Sequence, residues 1–142
     1  GGEENQFPGN IVEYFEVDEV EYVSPGDLLV VSEMGNAVLS RSRKEYNRSV
    51  IGVVAGNPLI AINNSGQEQK VYPVALVGKT LCKVDARISP VKPGDLIVAS
   101  GTPGCGMVGK VDSFEKIGTV IGKAMDRLEE GIGIISVFIT HL

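Results

Sequence analysis

Pro25-Gly26-Asp27-Leu28-Leu29-Val30-Val31-Ser32 returns further along the chain as Pro93-Gly94-Asp95-Leu96-Ile97-Val98-Ala99-Ser100. In each copy Pro fixes φ and Gly supplies a positive φ, so the chain turns and then enters an apolar strand. A second block, Ile-Gly-x-Val-x-Gly, follows each copy, at Ile51 to Gly56 and at Ile117 to Gly122. The gap is similar, from Gly26 to Gly52 and from Gly94 to Gly118. Paired blocks at similar spacing point to duplication of one β unit, over about 24–58 and 92–125. The repeat speaks to architecture and names no reaction.

The rest of the chain reads as strands. Ile11 to Val23 alternates loosely and suits an exposed strand or ribbon. Ala37 to Ser42 is the hairpin partner of Leu28 to Val31, and Val50 to Ala55 is a further strand. Asn57-Pro58 breaks the chain and Asn63-Asn64-Ser65-Gly66 makes a loop tip. Val71 to Val77 and Thr80 to Val84 are expected as two strands about Gly78-Lys79, followed by strands at Ile97, Ile117 to Met125 and Ile132 to Thr140. No segment repeats apolar residues at helical spacing over three turns. The expectation is an all-β fold with little or no helix, a duplicated unit forming a sandwich or barrel-like domain. Residues 10–142 form the single domain, after a disordered or expression-derived 1–9 whose Gly1-Gly2 lacks an initiator Met.

Composition narrows the function classes. A 43% apolar and 22% charged chain of 142 residues carries an ordinary globular core. The formal charge of −5 opposes nucleic-acid binding, which needs a basic face. No apolar run reaches the roughly 18–20 residues that span a bilayer, so no membrane insertion is expected. Cys82 and Cys105 make neither a disulfide framework nor a zinc site, and whether the two pair with each other is left open by the sequence. Cys82 reads as a small buried hydrophobe, and Cys105, in a Gly-rich loop, as more exposed.

Each candidate for chemistry has a plainer reading. Gly104-x-Gly106-x-x-Gly109 matches the dinucleotide fingerprint, but Lys110 to Phe114 offers no helix to hold a pyrophosphate, so a hairpin loop is expected. Asp27 and Asp95 occupy equivalent places and invite comparison with a proton-sharing carboxylate pair. Both enter strands, and hydrogen bonding to their own turns suits them better. His141, the single histidine, lies one residue from the end and supplies neither a catalytic base nor a metal site. Arg41, Arg43, Lys44 and Arg48 surround Tyr46 and read as a solvated hairpin edge, with acidic Glu13 to Glu21 as a counterpart. Asn64-Ser65 at a loop tip is weighed as a self-cleavage point against a plain polar turn, and Asn47-Arg48-Ser49 matches the glycosylation acceptor pattern, which matters only in a secreted eukaryotic chain. No catalytic, cofactor-binding or metal-ligating residue is assigned, and no cofactor is expected.

One resemblance adds to this. Lys44-Glu45-Tyr46, Val50-Ile51-Gly52-Val53-Val54-Ala55-Gly56-Asn57-Pro58, Tyr72-Pro73-Val74-Ala75-Leu76-Val77-Gly78, Cys82-Lys83-Val84, Lys92-Pro93-Gly94-Asp95-Leu96, Thr102-Pro103-Gly104 and Ile117 to Ala124 come in an order that resembles a known domain. It is similar to the C-terminal β domain of phage tail-fibre and neck-appendage proteins and related bacterial surface proteins. Some of those relatives carry an intramolecular chaperone that cuts itself off. The resemblance covers roughly Arg41 to Leu142 and implies an elongated, often trimeric appendage without small-molecule turnover. No downstream chaperone is expected after the last strand at His141-Leu142, so no autoproteolytic residue is carried over. A looser similarity is to phage head-decoration proteins. The reading is a non-enzymatic structural or assembly domain of a phage-derived or cell-surface appendage, a homo-oligomer and first of all a trimer. Its expected place is a virion or a cell surface. The alternative is a ligand-binding or self-processing β domain, with loops Asn63 to Gln69 and Gly101 to Gly106 framing the site.

Overall fold

In the computed structural model the described residues are 9–142 without Glu19 and Glu21. Ten strands run in chain order: β1 (Asn10–Phe15), β2 (Leu28–Val31), β3 (Leu39–Arg41), β4 (Val50–Val54), β5 (Leu59–Ile62), β6 (Glu68–Asp85), β7 (Leu96–Ala99), β8 (Gly106–Val108), β9 (Val120–Ala124) and β10 (Ile132–Ile139). Among the described residues, Phe114–Lys116, one 3-10 turn, is the helical element named beside these strands.

Five strands close on themselves. β6 pairs with β10 from Gly78 to Asp85, β10 with β9, β9 with β7, and β7 with β8. β8 then returns to β6 through the parallel pair Val84–Gly106. A five-stranded barrel has room only for side chains. Cys82, Val84, Ile97, Ile121, Ile135 and Val137 fill it, in one cluster with Leu28 and Val53 from strands outside the ring and Ala75 from the part of β6 that runs beyond it. β4 joins the other end of β6, and β2 and β3 extend from β4. β1 pairs along β6 from Gly78 to Tyr72, and a second cluster of Val17, Leu29, Leu39, Val54, Tyr72 and Val74 lies on that side. The all-β, barrel-like architecture expected from the sequence is therefore present.

Several boundaries differ from the sequence reading, for physical reasons. The strands expected at Val71 to Val77 and Thr80 to Val84 are one 18-residue strand, β6. Gly78 does not turn the chain. It takes φ +99° so that β1 can approach, and a Cβ there would strike the Gly9 carbonyl and Asn10. The ribbon expected over Ile11 to Val23 ends as a strand at Phe15, after which Val17 makes a single bridge to Leu39. The strand expected from Ile117 begins at Val120, because Phe114–Lys116 coils first. β5 was not anticipated, since Asn57-Pro58 resembles a boundary rather than an entry to a strand. Of the segment 1–9, only Gly9 is among the described residues, and its carbonyl accepts the Lys79 amide at 2.7 Å.

The two matched turns share their hydrogen bonds. Asp27 Oδ2 accepts the Ser24 amide, and Asp95 Oδ2 the Lys92 amide, both at 2.8 Å. Gly26 and Gly94 have φ +97° and +91°, and their amides donate at 2.8 Å to Val54 O and Ala124 O. The ladders correct one equivalence. Leu29 pairs with Gly52 and Ile97 with Gly122, each just before a register shift. The counterpart of Gly52 is thus Gly122, where the sequence blocks suggested Gly118.

Candidate functional site

The densest polar grouping lies where the first turn meets the barrel. Asp27 is fully buried, and burying a carboxylate requires a partner. Lys83, on β6, supplies it. Its Nζ donates to Asp27 Oδ1 at 2.9 Å and to Ser24 Oγ at 2.6 Å. The backbone locks the same corner: Lys83 N donates to Gly26 O at 2.9 Å, and Leu28 N to Gly104 O at 2.8 Å. Gly104 has φ +72° and lies so close that a Cβ would collide with the Asp27 carboxylate. Only glycine lets loop 101–105 seal this corner.

A serine beside a lysine is the grouping used for nucleophilic attack when the amine is neutral. Here the amine is held as the counter-ion of a buried carboxylate. It donates to Ser24 and has no lone pair to take the Ser24 proton. The corner therefore holds charge and fixes the turn, and it presents no nucleophile–base pair. The Asp95 carboxylate accepts the Lys92 amide of its own turn, and among the described residues no hydrogen bond joins it to Asp27, so no carboxylate pair forms.

Two thiols lie next to this corner, both free and both buried. Burial first, then the nearby Cys105, pushes the Cys82 thiol up to about 12. Cys105 is 3% exposed, against the exposure expected of its loop, and its thiol is also raised, mainly by burial. The Gly-rich loop folds inward: Ser100 Oγ donates to Cys105 O at 2.7 Å and Cys105 N to Thr102 O at 3.0 Å.

Outside the loop is a cleft of about 370 Å³ lined by Glu45, Asp85, Arg87, Ile88, Ser100 and Thr102. Its carboxylate is already engaged. Asp85 accepts from Arg87 Nε at 3.0 Å, Arg87 Nη2 at 2.8 Å, Thr102 Oγ1 at 2.6 Å and the Arg87 amide at 2.9 Å. The Arg87 guanidinium, with help from Thr102, holds the Asp85 carboxyl well below the usual carboxylate range. This network clamps the end of β6 to the loop after β7.

The remaining sequence candidates are dispersed. Gly106 of the fingerprint opens strand β8, so no helix N-terminus stands behind it. Loops Asn63 to Gln69 and Gly101 to Gly106 lie near opposite ends of β6 and do not frame one site. Asn63 Oδ1 accepts the Ser65 and Gln67 amides, both at 2.9 Å, an ordinary polar turn. The His141 ring donates to Leu76 O at 2.8 Å. Lys116 Nζ sits 4.5 Å from the centroid of the Tyr46 ring and Arg41 sits over Tyr22 at 5.6 Å, so the Tyr46 face is already covered. Glu19 and Glu21, part of the expected acidic counterpart, lie outside the described residues. Among the described residues no cluster of three His, Cys, Asp or Glu side chains could hold a metal, and no helix is long and apolar enough to cross a membrane.

Sequence reasoning missed Lys83, Ser24, Asp85 and Arg87. Asp85 had a weak signal, a carboxylate two residues before an arginine at a strand end. The Lys83–Asp27 pair had none, because 56 residues separate its members.

No family model matches the chain, and no curated protein does. Among solved structures it is similar to the pre-mature bacteriophage phi29 gene product 12, with a TM-score of 0.59 and 15% identity, covering 93% of this chain and 21% of that one. It is also similar to the C-terminal fragment of bacteriophage phi29 gene product 12, with a TM-score of 0.55 and 17% identity, covering 92% of this chain and 100% of the fragment. At such identities the likeness is one of fold.

Proposed function

We propose that this chain is a non-enzymatic assembly domain of a phage-derived or cell-surface appendage protein, and that it works as a homotrimer on a virion or a cell surface. The observation that carries this reading is coextension. The chain shares its fold over 92% of its length with a phage C-terminal fragment that it covers entirely. The polar groups support it too, since Asp27, Lys83, Asp85 and Arg87 are spent on holding loops to the barrel. The matched turns and ladders support a duplicated unit, with Gly52 and Gly122 as its equivalent points.

Analytical ultracentrifugation with intact mass spectrometry tests the proposal. The assembly reading expects a self-associated species built from intact 15.1 kDa chains. A self-processing domain would instead give two fragments meeting at Asn64-Ser65, and a ligand-binding module would sediment as a monomer.

A further inference from the structure

We infer that Cys82 and Cys105 are the two halves of a latent disulfide that staples the barrel at its narrowest seam. The inference goes beyond the assembly reading and does not depend on it.

The ring of five strands is not closed evenly. Four of its ladders carry three or more residue pairs, whereas β6–β8 carries one, Val84–Gly106. Cys105 directly precedes Gly106, and Cys82 lies two residues before Val84. The two strands are parallel there, so both cysteines fall on the same side of that single pair. Carrying the strand spacings back from it puts the two Cα atoms about 6 Å apart, within the span of a disulfide.

The surroundings of the sulfurs agree. The Gly106 amide donates to the Cys82 sulfur, and that amide nitrogen is bonded to the Cys105 carbonyl carbon. The Cys82 thiol donates in turn to Lys83 O at 3.3 Å. Cys105 is also the charged neighbour that acts most strongly on the Cys82 thiol. It lies just before β8, so the alternation of that strand does not fix where its side chain points. Both thiols are free.

Joining them requires an oxidant, and a low-molecular-weight disulfide such as oxidised glutathione supplies it. The Cys105 thiolate, at the loop end, attacks one glutathione sulfur, breaks the S–S bond and releases one glutathione thiol. The Cys82 thiolate then attacks the Cys105 sulfur of the mixed disulfide and releases the second. Two protons and two electrons pass in all from the protein to glutathione. Burial keeps both thiols protonated, so exchange waits until the seam opens or the chain is folding. The same burial then shields the finished bond from reductants. A seam that opens in reducing surroundings is thereby held shut in oxidising ones.

The test unfolds the reduced chain and refolds it in a glutathione redox buffer, with Cys82→Ala and Cys105→Ser as controls. Intact mass, a non-reducing peptide map and thermal unfolding are the readouts. The expected product is about 2 Da lighter and has Cys82 linked to Cys105 within one chain. It should melt about 10 °C above the reduced chain, and reduction should return both mass and midpoint. Neither variant should gain the shift. Refolded protein that keeps two free thiols, carries only glutathione adducts or links separate chains overturns the staple. A linked chain that melts no higher than the reduced one overturns its role at the seam. The parent chain alone gives each of these outcomes, so the test survives a variant that fails to fold. None of them turns on how many chains assemble, so the assembly proposal stands or falls separately.

Discussion

Gly52 and Gly122 stand at the same point of two matched ladders, each pressed against the backbone of a neighbouring strand. Gly52 pairs with Leu29, and a Cβ on it would strike the Ala75 carbonyl of β6. Gly122 pairs with Ile97, and a Cβ on it would strike the Phe138 carbonyl of β10. At both places a strand crosses closely enough that only hydrogen fits, and the ladder shifts register just beyond.

Gly122→Ala should therefore be severe. A backbone carbonyl in the barrel wall cannot move aside as a side-chain tip can, so the loss should be about 3 kcal/mol, the upper part of the overpacking range. Gly101→Ala is the control, since its Cβ would meet only Glu45 Cγ at 3.9 Å, and should change stability by less than about 0.5 kcal/mol. Denaturant unfolding of both variants checks the contrast.

The two turn aspartates should differ although their turns match. Lys83→Ala leaves the Asp27 carboxylate buried without its counter-ion. The loss should be about 3 kcal/mol, at the low end for a broken buried pair because the Lys83 side chain keeps 25% exposure. Asp95→Ala removes a turn bond at a half-buried site and should cost about 1 kcal/mol. Equal losses would contradict the account of the corner.

The Asp85 clamp sets an acid limit. Its folded-state affinity for protons is lowered, so the stability it provides is present above the ordinary carboxylate value of about 4 and is lost as pH falls through the lower folded value. Asp85→Asn should destabilise the protein by about 2 kcal/mol at neutral pH and flatten the acid side of the melting-temperature profile. A variant that keeps the parent's acid profile would assign the dependence to other carboxylates.

Cys82 sets the alkaline counterpart. Its folded value is raised from 9.0 to about 12, so its contribution is fully present below about 9 and is lost as pH climbs toward 12. Burial also shields both thiols from reagents. Ellman's reagent should find essentially no fast-reacting thiol in the folded protein at pH 8 and two after unfolding.

How much of this was legible in the sequence depends on how local each signal was. Pro25-Gly26-Asp27 and Pro93-Gly94-Asp95 announced turns and strands because three adjacent residues fix that geometry. Gly78 misled, because a glycine that admits a neighbouring strand looks in sequence like one that turns the chain. Gly118 displaced Gly122 for a similar reason: the Ile-Gly pair of Ile117-Gly118 recurs four residues on as Ile121-Gly122, and only the partner strand decides which glycine is pressed. The Asp27–Lys83 corner and the closure of β8 on β6 depend on residues distant in sequence, and no local pattern records them.

Native mass spectrometry of the unmodified chain at low micromolar concentration tests the central claim most directly. The account predicts a dominant species at three times the 15.1 kDa chain mass, with every chain intact. A single 15.1 kDa species at all concentrations would contradict it.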